Sequence, residues 1–221
     1  MPYQLLLIER DDTIATVTLN RAEKRNALNT QLRDEISAAF GELEADGGVS
    51  VAVLTGAGPV FCAGFDTKEF ETTPPAEIFS GESSRRYHHR VQHFAKPLVA
   101  AVNGYAVGIG CIVTYCCDLI VASERAEWRL PQVALGILPA QGGTVRLARW
   151  VGRGQAMKLA MGFPLKAEEA YRIGLVSAVV PGERLLEEAK AFARTIAEAP
   201  ADTLRGVKSS ILEATAWKFQ P

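Results

Sequence analysis

The segment from Lys96 to Asp118 constrains the fold more than any other part of the chain. Its apolar run Leu98–Val102 is long enough for one buried strand, and Gly104 then marks a turn. Gly108 and Gly110 follow and lead directly into a second apolar stretch. Glycine lets another backbone or a ligand approach closely, and the first amides of a helix have no partner inside it. The pattern therefore predicts a strand, a glycine turn and a helix start that presents N–H groups to an anion or a polarised carbonyl.

A second segment, Pro59–Phe70, has the same character. Ala63 and Gly64 make a small, flexible turn, and Asp66 is placed to cap a helix that starts after it. Two glycine turns, each ending at a helix start, can direct one N–H apiece at the same oxygen. This is the construction of an oxyanion hole.

Length and composition restrict the class of protein. The chain has 221 residues, which is enough for one sizeable core, and its formal net charge is −1 with no basic run. Nucleic-acid binding therefore has no electrostatic support, and no apolar stretch reaches the length of a membrane span. The four cysteines match no zinc pattern and indicate small buried residues in a reducing compartment. The N-terminal residues lack the basic region of a signal peptide, so we expect a cytoplasmic protein.

Apolar periodicity and turn residues predict an alternation of strands and helices. A hairpin is predicted from Gln4–Glu9 and Thr13–Leu19, and a mobile loop is predicted at Thr72–Glu82. The predicted helices are Thr30–Asp46 with Thr30 as its cap, Ser84–Phe94, Gly142–Val151, Gly154–Met161, Lys166–Ile173, Glu183–Ala199 and Ala201–Ala216, with Pro200 between the last two; the later strands are Val51–Leu54, Leu119–Ala122 and Val176–Val180.

An ordered set of motifs resembles the crotonase (enoyl-CoA hydratase/isomerase) superfamily over nearly the whole chain. The motifs are Asn26-Ala27-Leu28-Asn29, Phe61-Cys62-Ala63-Gly64-Phe65-Asp66, Lys96-Pro97 with Asn103-Gly104-Tyr105-Ala106 and Gly108-Ile109-Gly110, Cys117-Asp118, Leu135-Gly136-Ile137-Leu138-Pro139, and Gly142-Gly143-Thr144 with Arg146-Leu147. The resemblance implies an α/β fold, a crotonase-like spiral of ββα units with a helical C-terminal part. It also implies a core domain at residues 1–200, the start of a C-terminal helical region at 201–221, and a homotrimer or dimer of trimers.

The same resemblance implies how an acyl-CoA thioester would bind, with coenzyme A entering as part of the substrate and no permanently bound cofactor. The backbone N–H groups of Phe65 and Ile109 match the family's oxyanion pair. The coenzyme contacts implied are Lys24 near the phosphates, Ala27 and its neighbours around the adenine, and further contacts at Leu28, Ala63, Gly64 and Asp66.

The proton-transfer groups depart from the family pattern. The hydratases use two glutamates, and the matching positions here are Ile112 and Gln132. Isoleucine carries no proton, and glutamine can hydrogen-bond but cannot act as a base near neutral pH. We therefore expect little ordinary hydration. Decarboxylation or thioester hydrolysis would suit an enolate-stabilising site with fewer acid/base groups.

Other side chains are weaker candidates. His88, His89 and His93 all lie on the predicted helix Ser84–Phe94, and His89 or His88 could supply an acid/base near the substrate. His89 and His93 also have metal-ligand spacing, but no third ligand is evident, so we expect no metal.

Each remaining polar candidate has a structural interpretation that we favour. Asp66 is expected to be a helix cap and Glu69 a solvated side chain, whereas Cys111 is expected to be a buried thiol. Tyr105 and Tyr115 are expected in the core or the pocket wall.

Three functional hypotheses remain. The first is an enzyme of the enoyl-CoA hydratase/isomerase family with an atypical reaction. The second is a non-catalytic acyl-CoA binding or regulatory protein. The third, a nucleotide-binding module at Gly104–Gly110, is disfavoured because the spacing is not G-x-G-x-x-G.

Overall fold

The computed structural model describes residues 3–139 and 141–215. In these residues the strands are β1 Leu6–Asp11, β2 Ile14–Leu19, β3 Val51–Gly56, β4 Val60–Cys62, β5 Leu98–Val102, β6 Tyr105–Val107, β7 Leu119–Ser123, β8 Glu127–Arg129, β9 Leu165–Lys166 and β10 Ala178–Val180. The helices are α1 Thr30–Ala45, α2 Pro75–Ser80, α3 Glu82–Gln92, α4 Ile109–Tyr115, α5 Gly143–Ala160, α6 Ala167–Arg172, α7 Leu185–Ala197 and α8 Ala201–Ala214, and short 3-10 helices cover Ala22–Lys24, Thr67–Glu71, Pro131–Leu135 and Gly182–Arg184.

The strands form two sheets, and from β3 to β8 successive strands alternate between them. One sheet has the order β1-β2-β3-β5-β7-β10 and the other has the order β4-β6-β8-β9. The pairs β3–β4, β5–β6 and β7–β8 each place their first strand in the larger sheet and their second in the smaller one, and helices follow each pair. This stack of ββα units confirms the predicted spiral and the predicted α/β class.

The parallel strands of the larger sheet are buried on both faces. All residues of β3 and β5 are buried, as uninterrupted apolar runs in a covered parallel sheet should be. Because side chains alternate, Val51 and Val53 pack toward α7 while Ala52 and Leu54 pack into the main core with α1, α3 and α4. The sheet is thus held between two apolar layers, which makes it a rigid support for the loops at its edge.

Most predicted elements are confirmed with small shifts at their ends. The hairpin β1–β2 is antiparallel, and the break between the helices predicted around residue 152 occurs within α5, where Gly152 has φ +75°. Pro200 precedes α8 as expected. Ala216 and the residues after it lie outside the described part, and the boundary between 200 and 201 stays a prediction.

Two local predictions are wrong. Thr30 does not cap α1, because the Asn29 side chain accepts the hydrogen bond from the Leu32 amide at 3.0 Å. The segment Thr72–Glu82 is not only a loop, because Pro75 begins helix α2 at a position where its missing N–H costs no bond.

Candidate active site

The two glycine segments leave a pair of parallel strands side by side. Cys62 of β4 pairs with Ala106 of β6. Phe65 and Ile109 each lie three residues beyond those paired positions, so both occur at the same edge of the smaller sheet. Strand pairing, rather than any side-chain contact, therefore brings the two predicted amides to one place.

Glycine is required where these two segments touch. Gly64 has φ +103°, and a Cβ atom on it would lie 3.2 Å from the Val107 carbonyl oxygen. A Cβ atom on Gly110 would lie 2.4 Å from the Cys62 carbonyl oxygen. Larger residues at either position would push the segments apart, and the sequence expectation of close backbone approach is confirmed.

Both amides are left without an acceptor among the described residues. Leu28 forms its two backbone hydrogen bonds with the neighbours of Phe65 and not with Phe65 itself. Its N–H donates to Gly64 O at 2.8 Å, and its carbonyl accepts from Asp66 N at 3.2 Å. Ile109 is the first residue of α4, where an N–H has no acceptor within the helix. Within residues 3–139 and 141–215, neither the Phe65 nor the Ile109 N–H donates a hydrogen bond.

The loop before α1 is fixed against this edge by one buried amide side chain. Asn26 is fully buried; its Nδ2 donates to Ala57 O and Val60 O, and its Oδ1 accepts from Arg21 N. Ala63 N also donates to Arg25 O at 3.0 Å. These bonds order the loop in spite of positive φ angles at both Arg25 and Asn26.

The residues predicted to contact coenzyme A consequently lie in one continuous region. Ala27 and Leu28 run directly beside Ala63 and Gly64 through the Leu28–Gly64 bond. The side chain of Leu28 is buried, so its backbone is the part of it that faces the neighbouring segment. Lys24 lies in the short 3-10 helix at the exposed end of the loop, where a cation can meet a phosphate from solvent.

Asp66 is a cap and an ion-pair partner. Its Oδ1 accepts from Lys68 N at 3.1 Å, and its Oδ2 is 2.6 Å from Arg21 Nη1. Burial acts to raise the pKa of this carboxyl, but the bonds from Arg21 and Lys68 N bring it below the ordinary value. The predicted cap is confirmed, and each oxygen of this carboxylate already accepts a hydrogen bond from within the chain.

Glu69 is also occupied, and the prediction that it is solvated is wrong. Its carboxylate accepts from Thr30 N, Thr30 Oγ1 and Arg33 Nη1 at 2.7, 2.8 and 2.8 Å. Burial acts to raise the pKa of Glu69, but these donors bring it below the ordinary value. Arg33 is itself 3% exposed and lies over the Phe65 ring, so this pair fixes the segment that carries the Phe65 amide.

Gln132 lies above the N-terminus of α4. It follows Pro131 at the start of a 3-10 helix, and its Nε2 would be 3.3 Å from a Cβ atom on Gly108. Its Oε1 is buried and has no hydrogen-bond partner within the part of the chain that the structure describes. The structure therefore places the Gln132 amide beside Gly108, the residue before Ile109.

Ile112 fills its position with hydrocarbon. The side chain is 1% exposed and lies one turn into α4. A Cβ atom on Gly143 would come within 2.7 Å of Ile112 Cδ1, and Pro139 packs at the same point. Neither Ile112 nor its contacts here supply a proton-transfer group.

The structure does not bring His89 to this edge. Its side chain is exposed and stacks on His93 with ring centroids 4.2 Å apart, whereas the buried residues of α3 are Ser84, Tyr87, His88 and Val91. The buried set has the spacing i, i+3, i+4, i+7 of a core-facing stripe. That spacing was the signal for choosing His88 over His89, and the sequence analysis did not use it.

His88 should make stability depend on pH. Burial first, and then the charge of Arg146, lowers the pKa of His88 to about 4, compared with about 6.5 when unfolded. Its depressed pKa means that the free energy of unfolding falls as pH drops from about 6.5 to about 4, by up to about 3 kcal/mol. Urea unfolding across that range should show a steeper slope in the parent and in His89→Gln than in His88→Gln. An unchanged slope in His88→Gln would contradict the assignment.

The remaining polar candidates have structural roles. Cys111 donates through Sγ to Ala106 O at 2.9 Å, and burial raises its pKa to about 12, which confirms a buried thiol. Tyr115 is buried in the core as predicted. Tyr105 is 42% exposed and lies under Arg129, so it is not part of the core, and its alternative place in the pocket wall stays a prediction.

The described residues offer neither a metal cluster nor a membrane span. In residues 3–139 and 141–215 no group of three or more His, Cys, Asp or Glu side chains is arranged to hold a metal ion. The helices of the same residues include none that combines the length and apolarity needed to cross a bilayer.

A two-sheet ββα spiral with two unpaired amides at the edge of its smaller sheet defines a protein of the crotonase fold. The enoyl-CoA hydratase/isomerase family profile matches residues 9–219, and the chain belongs to that family. It is 38% identical over 215 residues to the probable enoyl-CoA hydratase echA8 of Mycobacterium tuberculosis, covering 97% of this chain and 83% of the relative. It is 37% identical over 210 residues to the 2,3-dehydroadipyl-CoA hydratase of Escherichia coli, covering 95% and 82%.

Solved structures of enoyl-CoA hydratases share the fold of this chain. An enoyl-CoA hydratase subunit from Geobacillus kaustophilus superposes with a TM-score of 0.91 at 34% identity, covering 98% of this chain and 84% of that one. The enoyl-CoA hydratase from Bacillus anthracis superposes with a TM-score of 0.90 at 33% identity, covering 94% and 82%.

Proposed function

We propose that this protein is an acyl-CoA enzyme whose Phe65 and Ile109 amides bind the thioester carbonyl oxygen. The observation that carries the proposal is the unpaired state of these two N–H groups at equivalent positions beyond the β4–β6 pair. Two fixed donors stabilise an oxyanion that forms as the carbonyl becomes enolate-like, and one such donor is typically worth about 3 kcal/mol in the transition state.

The coenzyme portion of the substrate would lie along the loop that Asn26 fixes. Backbone groups around Ala27 and Leu28 would hold the adenine, and Lys24 would meet the phosphates. Family membership supports this arrangement, and so does the contact between that loop and Gly64. Coenzyme A then enters and leaves with each substrate.

The reaction would be something other than ordinary hydration. Hydration needs groups that position and deprotonate water, and the two family positions for them hold the hydrocarbon of Ile112 and the neutral amide of Gln132. General acid–base catalysis typically contributes roughly 10²–10⁴-fold, so its loss should leave hydration slow.

We also propose a cytoplasmic homotrimer or dimer of trimers. Several large apolar side chains between Gln132 and α6 are exposed, including Leu135 at 67%, Leu138 at 85% and Phe163 at 59%. Exposed apolar clusters of this kind are typical of surfaces that another chain covers. Sedimentation velocity of the purified protein would determine the assembly.

Incubation with crotonyl-CoA tests the proposed function. We expect saturable binding by calorimetry but negligible loss of enone absorbance, because the carbonyl site is present and the water-activating pair is not. Rapid loss of absorbance would overturn the atypical reaction. Failure to bind any acyl-CoA, with free coenzyme A as the comparison ligand, would overturn the proposed function itself.

A non-catalytic acyl-CoA binder is the second candidate. The observation in its favour is that the two carboxylates nearest Phe65 are held by Arg21 and Arg33 rather than left free. It predicts binding without turnover across a panel of thioesters.

A further inference from the structure

Three arginines of the described residues are not exposed, and one of the three has no anion. Arg21 Nη1 is 2.6 Å from Asp66 Oδ2, and Arg33 Nη1 is 2.8 Å from Glu69 Oε2. The guanidinium of Arg146 meets no carboxylate or other acceptor in the part of the chain that the structure describes, and its Nε is buried. The fold thus withdraws a third guanidinium from water without supplying the partner that the other two have.

This arrangement leaves a charge that a ligand could neutralise. Arginine keeps its charge in proteins, and burying a charged donor without an acceptor costs free energy that a bound anion would recover. Other arginines also lack a carboxylate among the described residues, but water satisfies them because they are exposed; they are Arg25, Arg85, Arg125, Arg149, Arg153 and Arg172. Arg146 therefore differs from them by its burial.

Packing of α5 on α4 puts this guanidinium on the α4 side of the candidate site. A Cβ atom on Gly143 would lie 2.7 Å from Ile112 Cδ1, and Arg146 is three residues further along the same face of α5. Ile112 is in turn three residues, or about 4.5 Å of helix, beyond the Ile109 amide. The charge of Arg146 also acts on buried His88, so the guanidinium lies between α4 and α3.

The space beside the guanidinium is bordered by exposed backbone. Gly142 has φ +76°, which disfavours any side chain there, and a Cβ atom on it would lie 3.4 Å from Arg146 Nε and 3.8 Å from Nη2. Gly142 is exposed and Arg146 is half-buried, so solvent reaches part of the arginine side chain at this point. A small anion can therefore approach without displacing a side chain of Gly142.

We propose that Arg146 binds a carboxylate or a similar small oxyanion beside Gly142. The planar N–H groups of a guanidinium match the two oxygens of a carboxylate better than an ammonium does. Such a group has two sources, a free carboxylate in solution and a carboxylate at the far end of a bound acyl chain. The second source rests on the function proposed above, whereas the first does not.

Thermal unfolding in sodium acetate tests the first source, with the ionic strength held constant by sodium fluoride. Acetate at ten times its dissociation constant should raise the midpoint of the parent by roughly 4 °C. Arg146→Gln should lose this rise, and Arg146→Lys should keep only part of it because lysine lacks the planar fork. The matched control is Arg149→Gln, which removes an exposed and unpaired charge from the same helix and should keep the full rise.

Calorimetry with two pairs of thioesters tests the second source. Succinyl-CoA is compared with butyryl-CoA, and glutaryl-CoA with pentanoyl-CoA, because each pair has one acyl length and differs in the terminal carboxylate. At the length that reaches Arg146, the carboxylate should tighten binding roughly 10- to 100-fold in the parent and in Arg149→Gln, as expected for hydrogen bonds to a charged group. In Arg146→Gln the two members of each pair should bind equally.

The His88 imidazole reports occupation of the site directly. After burial, the charge of Arg146 is the largest cause that lowers the pKa of His88, and the charges of His93 and His89 add to it. A carboxylate on Arg146 offsets that charge, so NMR titration should give His88 a higher pKa with the ligand than without it. In Arg146→Gln the pKa should be higher from the start and should respond less to the ligand.

The outcomes separate this inference from the proposed function. If acetate stabilises the protein through Arg146 but no acyl-CoA binds, the anion site stands and the proposed function fails. If neither acetate nor the dicarboxylic thioesters depend on Arg146, the inference is wrong. It is also wrong if Arg146→Gln changes only the sedimentation coefficient, because the guanidinium would then meet a carboxylate of a second copy of the chain.

Discussion

Replacing Gly110 by alanine should abolish thioester binding and lower the free energy of unfolding by about 3 kcal/mol. The added Cβ would lie 2.4 Å from the Cys62 carbonyl oxygen and 3.0 Å from the Cys62 Cβ. Both contacts are with or next to rigid backbone, so the α4 segment must move away from β4. That movement separates the amides of Phe65 and Ile109, and it outweighs the roughly 1 kcal/mol by which alanine is a better helix former than glycine.

Urea unfolding and calorimetric titration with acetyl-CoA would measure both effects. Gly154→Ala in α5 is the control, because nothing lies within 4 Å of the added Cβ. That variant should bind normally and be equally or slightly more stable. A Gly110→Ala protein that binds acetyl-CoA as the parent does would show that the close contact with Cys62 is not needed for the site.

Replacing Gln132 by glutamate should raise the rate of crotonyl-CoA hydration by about 10²-fold or more. The change keeps the shape of the side chain and converts its terminal amide to a carboxylate that can accept a proton from water. Because Gln132 Nε2 lies close to Gly108 in the parent, the carboxylate would lie beside a thioester held by the Ile109 amide. Loss of enone absorbance gives the rate.

Gln155→Glu makes the same chemical change on α5 and should leave hydration at the parent's level. Hydration that stays at the parent's rate in Gln132→Glu would show that this side chain does not reach the reacting carbons.

The layers of the fold and the backbone part of the site could be predicted from sequence because they depend on local patterns. Uninterrupted apolar runs predict β3 and β5 as buried strands, and the paired glycine turns predict unpaired amides where each turn leads into a helix. The resemblance to the family assigns these amides to Phe65 and Ile109. Such amides belong to the main chain, so the side chains that differ from the family pattern do not remove them.

The side-chain part of the site could not be predicted in the same way, because its charged side chains pair with residues that are distant in sequence. Asp66 pairs with Arg21 across 45 residues, and Glu69 with Arg33 across 36. Nothing in the local sequence of either carboxylate indicates such a partner. His88 and His89 are consecutive residues on α3 and point to different faces of it, and only packing decides which of the two is buried.

The burial of the cysteines also determines how fast the protein reacts with thiol reagents. All four are buried, and burial raises the pKa of Cys62 and Cys111 to about 12 and that of Cys116 to about 11. Since the thiolate is the reactive form, alkylating agents meet these sulfurs only in molecules that have partly opened. The rate at which these cysteines are alkylated therefore reports how often the protein opens locally around α4, the helix that begins with the Ile109 amide.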